Sequence, residues 1–277
     1  MSECGLTNLA ICLPEKFFQF IMTILNAPIQ PLLSFIQSLL TQPTQVTVFY
    51  PLWSIIVYII SLFYGLFFLF AGFNFMISGY DAARREKAKY WLQNVVLMVL
   101  FVQASFVIYE LIIELSSLLT TGVLEMIDPK FFLMTADNIT NFGLQLLLLI
   151  PYVVILIFTV LTLALRYFFV VIGVVFFPFA MFFYFIPPLQ QYGKMILNTL
   201  LIIIFIPFFC AIVLLGGSAL LQIPLFENYK IVLVTVAFLA VNLLIIFLLI
   251  FALIKAAFGA ADSTFGKEIK AAIKYII

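Results

Sequence analysis

Glu110, Glu114 and Arg166 are ionisable side chains set within long apolar stretches of a 277-residue sequence. Each such group costs about 2.5–3.5 kcal/mol on membrane-insertion scales, which makes it a candidate for function. Glu110 and Glu114 are four residues apart, so a helix carries both on one face, where they repel unless one is protonated or a cation lies between them. Two readings stay open: a pair lining a polar path, or two wetted carboxylates near the outer end of a helix, the second being expected. Arg166 likewise reads either as a fixed positive charge at the inner mouth of a bundle or as a turn residue snorkelling to headgroups. In the first role it attracts phosphate or holds an ATPase partner.

Other chemistry is scarce. The sequence contains no histidine, which removes the commonest metal ligand and general base, and with it His-dependent triads and the H-E-x-x-H helix. There is no G-x-x-x-x-G-K-[ST] loop and no nucleophile with a base at plausible spacing, so no catalytic residue, cofactor or metal site is expected. Cys4 and Cys12 could pair as a disulfide if the N-terminus lies outside the cell. Cys210, inside an apolar run, reads as a small lipid-compatible side chain.

Composition says what must position these groups. Hydrophobic residues make up 66% of the sequence and charged residues 9%, with a mean hydropathy of +1.29, whereas soluble domains carry about a quarter charged residues. Several runs reach the roughly 20 apolar residues that cross a bilayer, and hydrocarbon leaves their backbone groups no partners but each other. The expected fold is therefore all-α, a polytopic transmembrane bundle of about six membrane segments. Residues 1–50 form an external or interfacial segment, 51–258 the transmembrane domain, and 259–277 an amphipathic tail. No cleavable signal is expected at the start of the sequence.

Within residues 14–40, Pro28 and Pro31 among several glutamines and asparagines suggest an interfacial amphipathic helix or a kinked hairpin. A span over 51–78 follows, with Tyr50 and Trp53 suited to the interface. Residues 81–89 form a loop in which Arg84, Arg85, Lys87 and Lys89 outnumber Asp81 and Glu86, which places it in the cytoplasm by the positive-inside rule. The next span covers 88–119, and the acidic loop 120–141 suits the outer face. The run 142–186 is twice the length of one crossing and reads as two spans meeting at Arg166 and Tyr167 on the cytoplasmic side. Spans over 195–221 and 231–257 complete the count. Pro151, Pro178 and Pro207 fall within runs, where they open carbonyls to neighbours, and Asn74, Asn94, Gln103, Asn198 and Asn242 read as interhelical hydrogen-bonding groups. One conflict remains: six crossings from an external N-terminus leave the lysine-rich tail outside, against the charge rule.

The stretch 165–180 (LRYFFVVIGVVFFPFA), followed by Pro187-Pro188 and a polar turn to Lys194, resembles the central signature of the TrbL-type polytopic membrane subunits of type IV secretion and conjugation machines. There an arginine opens a helix bearing a Pro-apolar-Ala step, here Pro178 to Ala180, and a proline-containing turn leads to the next helix. Residues 73–88 (FNFMISGYDAARREKA) are similar to the basic hairpin loop of membrane subunits in these systems, so the resemblance covers roughly 51–200. The sequence departs from it in being short, in lacking a long soluble tail and in its sixth apolar run. Its size and its Phe- and Ile-rich composition look more like the archaeal DNA-exchange version, the CedA-like membrane subunit. The resemblance implies a non-enzymatic homo-oligomer in the cell membrane that moves DNA and serves as the base for pilus assembly. It also implies a separate conjugation-type ATPase and a pilin-like small membrane subunit as partners. A small-solute transporter or channel is the alternative.

Overall fold

In a computed structural model, the described residues are 9–128, 131–132, 139–223, 226 and 229–262, and among them every regular element is a helix. The helices are α1 (Leu9–Thr41), α2 (Tyr50–Ser61), α3 (Tyr64–Ile77), α4 (Ala82–Gln103), α5 (Ser105–Leu124), α6 (Ile139–Phe185), α7 (Gln190–Leu220) and α8 (Lys230–Asp262). Among the described residues, five stretches are long and apolar enough to cross a membrane: Thr47–Ile77, Ser105–Leu124, Leu147–Phe185, Pro187–Leu220 and Lys230–Ala252. The protein is thus an all-α, multi-pass membrane protein by length and composition of its helices.

Two sequence expectations change. The run expected to hold two spans is a single helix of 47 residues, because Arg166 finds acceptors in the protein and need not end the helix at water. The N-terminal segment is one helix, not a hairpin, through Pro14, Pro28 and Pro31. Its buried residues Ile29, Ile36 and Leu40 recur at helical spacing, which is the stripe expected of an amphipathic helix.

By contrast, the span over 51–78 is interrupted by a short turn between α2 and α3, where the Phe63 N–H bonds to the Ile60 carbonyl at 3.0 Å. Helices α4 and α5 are separated by Ala104 alone, and backbone bonds at 3.0 Å run into it from Ile108 and out of it to Leu100.

Contacts divide the chain into two compact units. One comprises Met1–Gln42, Ser117–Leu165 and Pro207–Ile246; the other comprises Pro43–Ser116, Arg166–Ile206 and Phe247–Ile277. The second has a core in which Trp53, Val57 and Ile60 of α2 pack with Met98 and Val102 of α4, Tyr109 of α5 and Val174 and Phe177 of α6. Trp53, expected at the interface, is 7% exposed, and its indole N–H donates to the Ser105 Oγ at 2.9 Å. A buried indole keeps its donor satisfied in this way, and here it joins α2 to α5. In the first unit the core includes Tyr152, Leu156, Leu214, Phe238 and Ile245.

Candidate functional site

The most informative site lies in the second unit, where α5, α6 and α7 meet around Arg166. The arginine sits in mid-helix and is 3% exposed. It is not the turn residue at a cytoplasmic mouth expected from the sequence. Its Nε donates to the carbonyl of Ile203 at 3.1 Å and its Nη2 to the carbonyl of Ile204 at 2.8 Å.

Local sequence explains why the Ile203 carbonyl is available. Pro207 lies inside α7; it has no N–H to give to the carbonyl four residues earlier, which is that of Ile203, and its ring crowds that position. An unpaired carbonyl in an apolar interior is costly, and a guanidinium offers several donors in one plane. The Ser116 hydroxyl of α5 adds a bond of 2.8 Å to the Ile204 carbonyl. Three helices are therefore joined by polar atoms at one break in the α7 ladder.

Next to this site α5 and α6 come unusually close. The Tyr109 hydroxyl donates to the Val170 carbonyl at 2.6 Å, and one turn on, a Cβ placed on Gly173 would collide with that hydroxyl and lie 2.7 Å from a methyl of Leu200. Glycine at 173 is what admits the tyrosine. The Tyr167 hydroxyl accepts the Gln45 N–H at 3.1 Å, and Pro178, the other proline of the sequence signature, is buried.

The remaining candidates are dispersed. Glu110 is half-buried and Glu114 exposed on α5, and both fall within the apolar span Ser105–Leu124. Arg84, Arg85, Lys87 and Lys89 are exposed but do not form a loop, because they occupy the opening turns of α4. Asp81 caps that helix by accepting the Ala83 N–H at 3.0 Å and pairs with Arg84 at 3.4 Å. Cations disfavour a helix N-terminus, so the aspartate cap and the packing of Ala88 and Val95 hold this start. Cys4, Asp137 and the tail beyond 262 lie outside the described residues. The expected Cys4 to Cys12 pairing therefore falls outside them as well, while Cys210 is buried within α7.

Among the amides expected to join helices, Asn242 does so. In the first unit its Nδ2 donates to Thr159 Oγ1 at 2.9 Å, and its Oδ1 lies 3.1 Å from the Thr162 hydroxyl. Asn74 instead bonds to Phe70 within its own helix. Ser116, Tyr109 and Gly173 were not singled out in the sequence, since nothing local marks a tyrosine and a glycine 64 positions apart as neighbours. Pro207 followed 41 positions after a lone arginine was the one signal within reach. Comparison of the chain with protein-family models, with curated proteins and with solved structures returns no match to any of them.

Proposed function

We propose that this chain is a non-enzymatic, multi-pass cell-membrane subunit of a conjugation-like, type IV secretion machine that moves DNA, with a resemblance to TrbL-type and CedA-like subunits. The observation that carries the reading is that Arg166 and the helix beyond the Pro187-Pro188 turn are bonded to each other. Arg166 belongs to the stretch on which the sequence resemblance rests, although it stands within its helix and does not open it. Ile203 and Ile204 lie just past the resembling residues 51–200, and the bond supports the reading by tying that arginine to the helix into which the proline-containing turn leads. The proposed assembly is a homo-oligomer that works with a separate conjugation-type ATPase and a pilin-like membrane subunit and acts as the base of a pilus.

The proposed topology has an external N-terminus and five crossings, counting α6 once. This count brings Lys255 and the basic tail to the cytoplasm with Arg84 and Arg85, and so removes the conflict that six crossings create with the positive-inside rule.

The test is recombination between two marked strains of the source organism. Deletion of the gene is expected to abolish recombinants, and the Arg166→Lys variant at unchanged membrane level is expected to lower them. Unchanged frequency in the deletion strain ends the DNA-transfer reading. Solute flux through the purified protein alone in vesicles is the result expected of the rival, a small-solute transporter or channel.

A further inference from the structure

The unit containing α1 holds a half-open cavity of about 580 Å3, within the range of ligand pockets, roughly 300–1,000 Å3. Apolar side chains, among them Leu214 and Phe238, form much of its lining, while Gln30 and Gln37, two turns apart on α1, and Thr121 and Glu125, one turn apart at the end of α5, supply polar walls. None of these four polar side chains forms a hydrogen bond or ion pair among the described residues, so their donors and acceptors remain available to an occupant.

The electrostatics have one sign. Glu125 follows the last turn of α5, and its N–H bonds to the Thr121 carbonyl at 2.9 Å. A helix C-terminus carries partial negative charge that adds to the carboxylate, and among the described residues no lysine or arginine lines the cavity. An anion would therefore meet repulsion, and a neutral hydrocarbon would leave the Glu125 carboxylate without a counter-charge.

We infer that this cavity binds an amphipathic organic cation, with its ammonium group at Glu125, its apolar body against Leu214 and Phe238, and Gln30 and Gln37 orienting the polar end. A lipid with an aminated headgroup and a free amine share this chemistry. The inference does not rest on the DNA-transfer reading.

The probe is benzyltrimethylammonium, titrated calorimetrically into the full-length protein in a maltoside detergent, with phenylacetate as the anionic counterpart. Saturable binding of the ammonium and none of the carboxylate is expected. Glu125→Gln is expected to weaken binding about tenfold, or about 1.4 kcal/mol, with an unchanged melting temperature because the side chain is exposed and unbonded. Ser34→Phe places a ring into the cavity from an exposed wall position and is expected to abolish binding. Absence of saturable binding to the unaltered protein, equal binding of phenylacetate, or undiminished binding in both variants overturns the proposal. Native mass spectrometry of protein offered equal amounts of phosphatidylethanolamine and phosphatidylglycerol separates the sources. Retained phosphatidylethanolamine marks a lipid, and probe binding with no retained lipid marks a free amine.

Discussion

A guanidinium inside an apolar bundle can recover lost hydration from headgroups, from a carboxylate or from backbone carbonyls, and Arg166 uses the carbonyls of Ile203 and Ile204. Two of its nitrogens serve two acceptors from a rigid planar fork, whereas a lysine must reach both from a single nitrogen. Arg166→Gln is expected to lower stability by about 1–3 kcal/mol, the cost of one buried acceptor left unmade at Ile203, since Ser116 still serves the Ile204 carbonyl, and Arg166→Lys by about half as much. Pro207→Ala returns an N–H to the α7 ladder, so the loss from Arg166→Gln should shrink in that background. Equal losses in both backgrounds, by reversible unfolding in mixed micelles, would separate the arginine from the proline. Glu110 and Glu114 make no ion pair or hydrogen bond among the described residues. Their double change to Gln is expected to leave protein level and DNA exchange near normal, and a loss of exchange at normal level would assign them a partner outside the chain. That Arg166 mattered was legible from its cost in an apolar run. Where it pointed was not, because its acceptors are backbone atoms that look alike in every residue.

Helices were legible because each long apolar run must bond to itself, and the limits of α7 and the start of α8 fall close to the expected spans. The misreading of residues 142–186 came from applying a length rule and a charge rule to a segment whose charge is satisfied by another helix. The partner-dependent feature of greatest weight is the approach of α5 to α6 at Tyr109 and Gly173, which no periodicity encodes. Gly173→Ala is expected to cost about 1–3 kcal/mol by overpacking. Tyr109→Phe, which deletes the hydroxyl that the new Cβ would meet, should recover part of that loss, so the double variant is more stable than the sum of the single changes. Strict additivity in thermal unfolding would show that α5 and α6 do not approach at this point.

At the scale of the whole molecule, charge and crossing number make a joint claim under the proposed topology. Single cysteines at Ala83 and Ser263, in a background without Cys4, Cys12 and Cys210, are expected to be shielded from an impermeant thiol reagent in intact cells, whereas a cysteine at Thr135 is labelled. Labelling at Ser263 but not Ala83 would restore an even number of crossings. The arginine-to-carbonyl bonds also set a schedule for synthesis. Ribosomal emergence of the chain is sequential, and Ile203 follows Arg166 by 37 residues, roughly 2–7 s at about 5–20 residues per second. During that interval the cation has no α7 carbonyl to bind, so α6 should stay beside the insertion machinery until α7 arrives. Stalled nascent chains ending just after Phe185 are expected to crosslink to that machinery through α6, and chains extended well past Pro207 to be released from it.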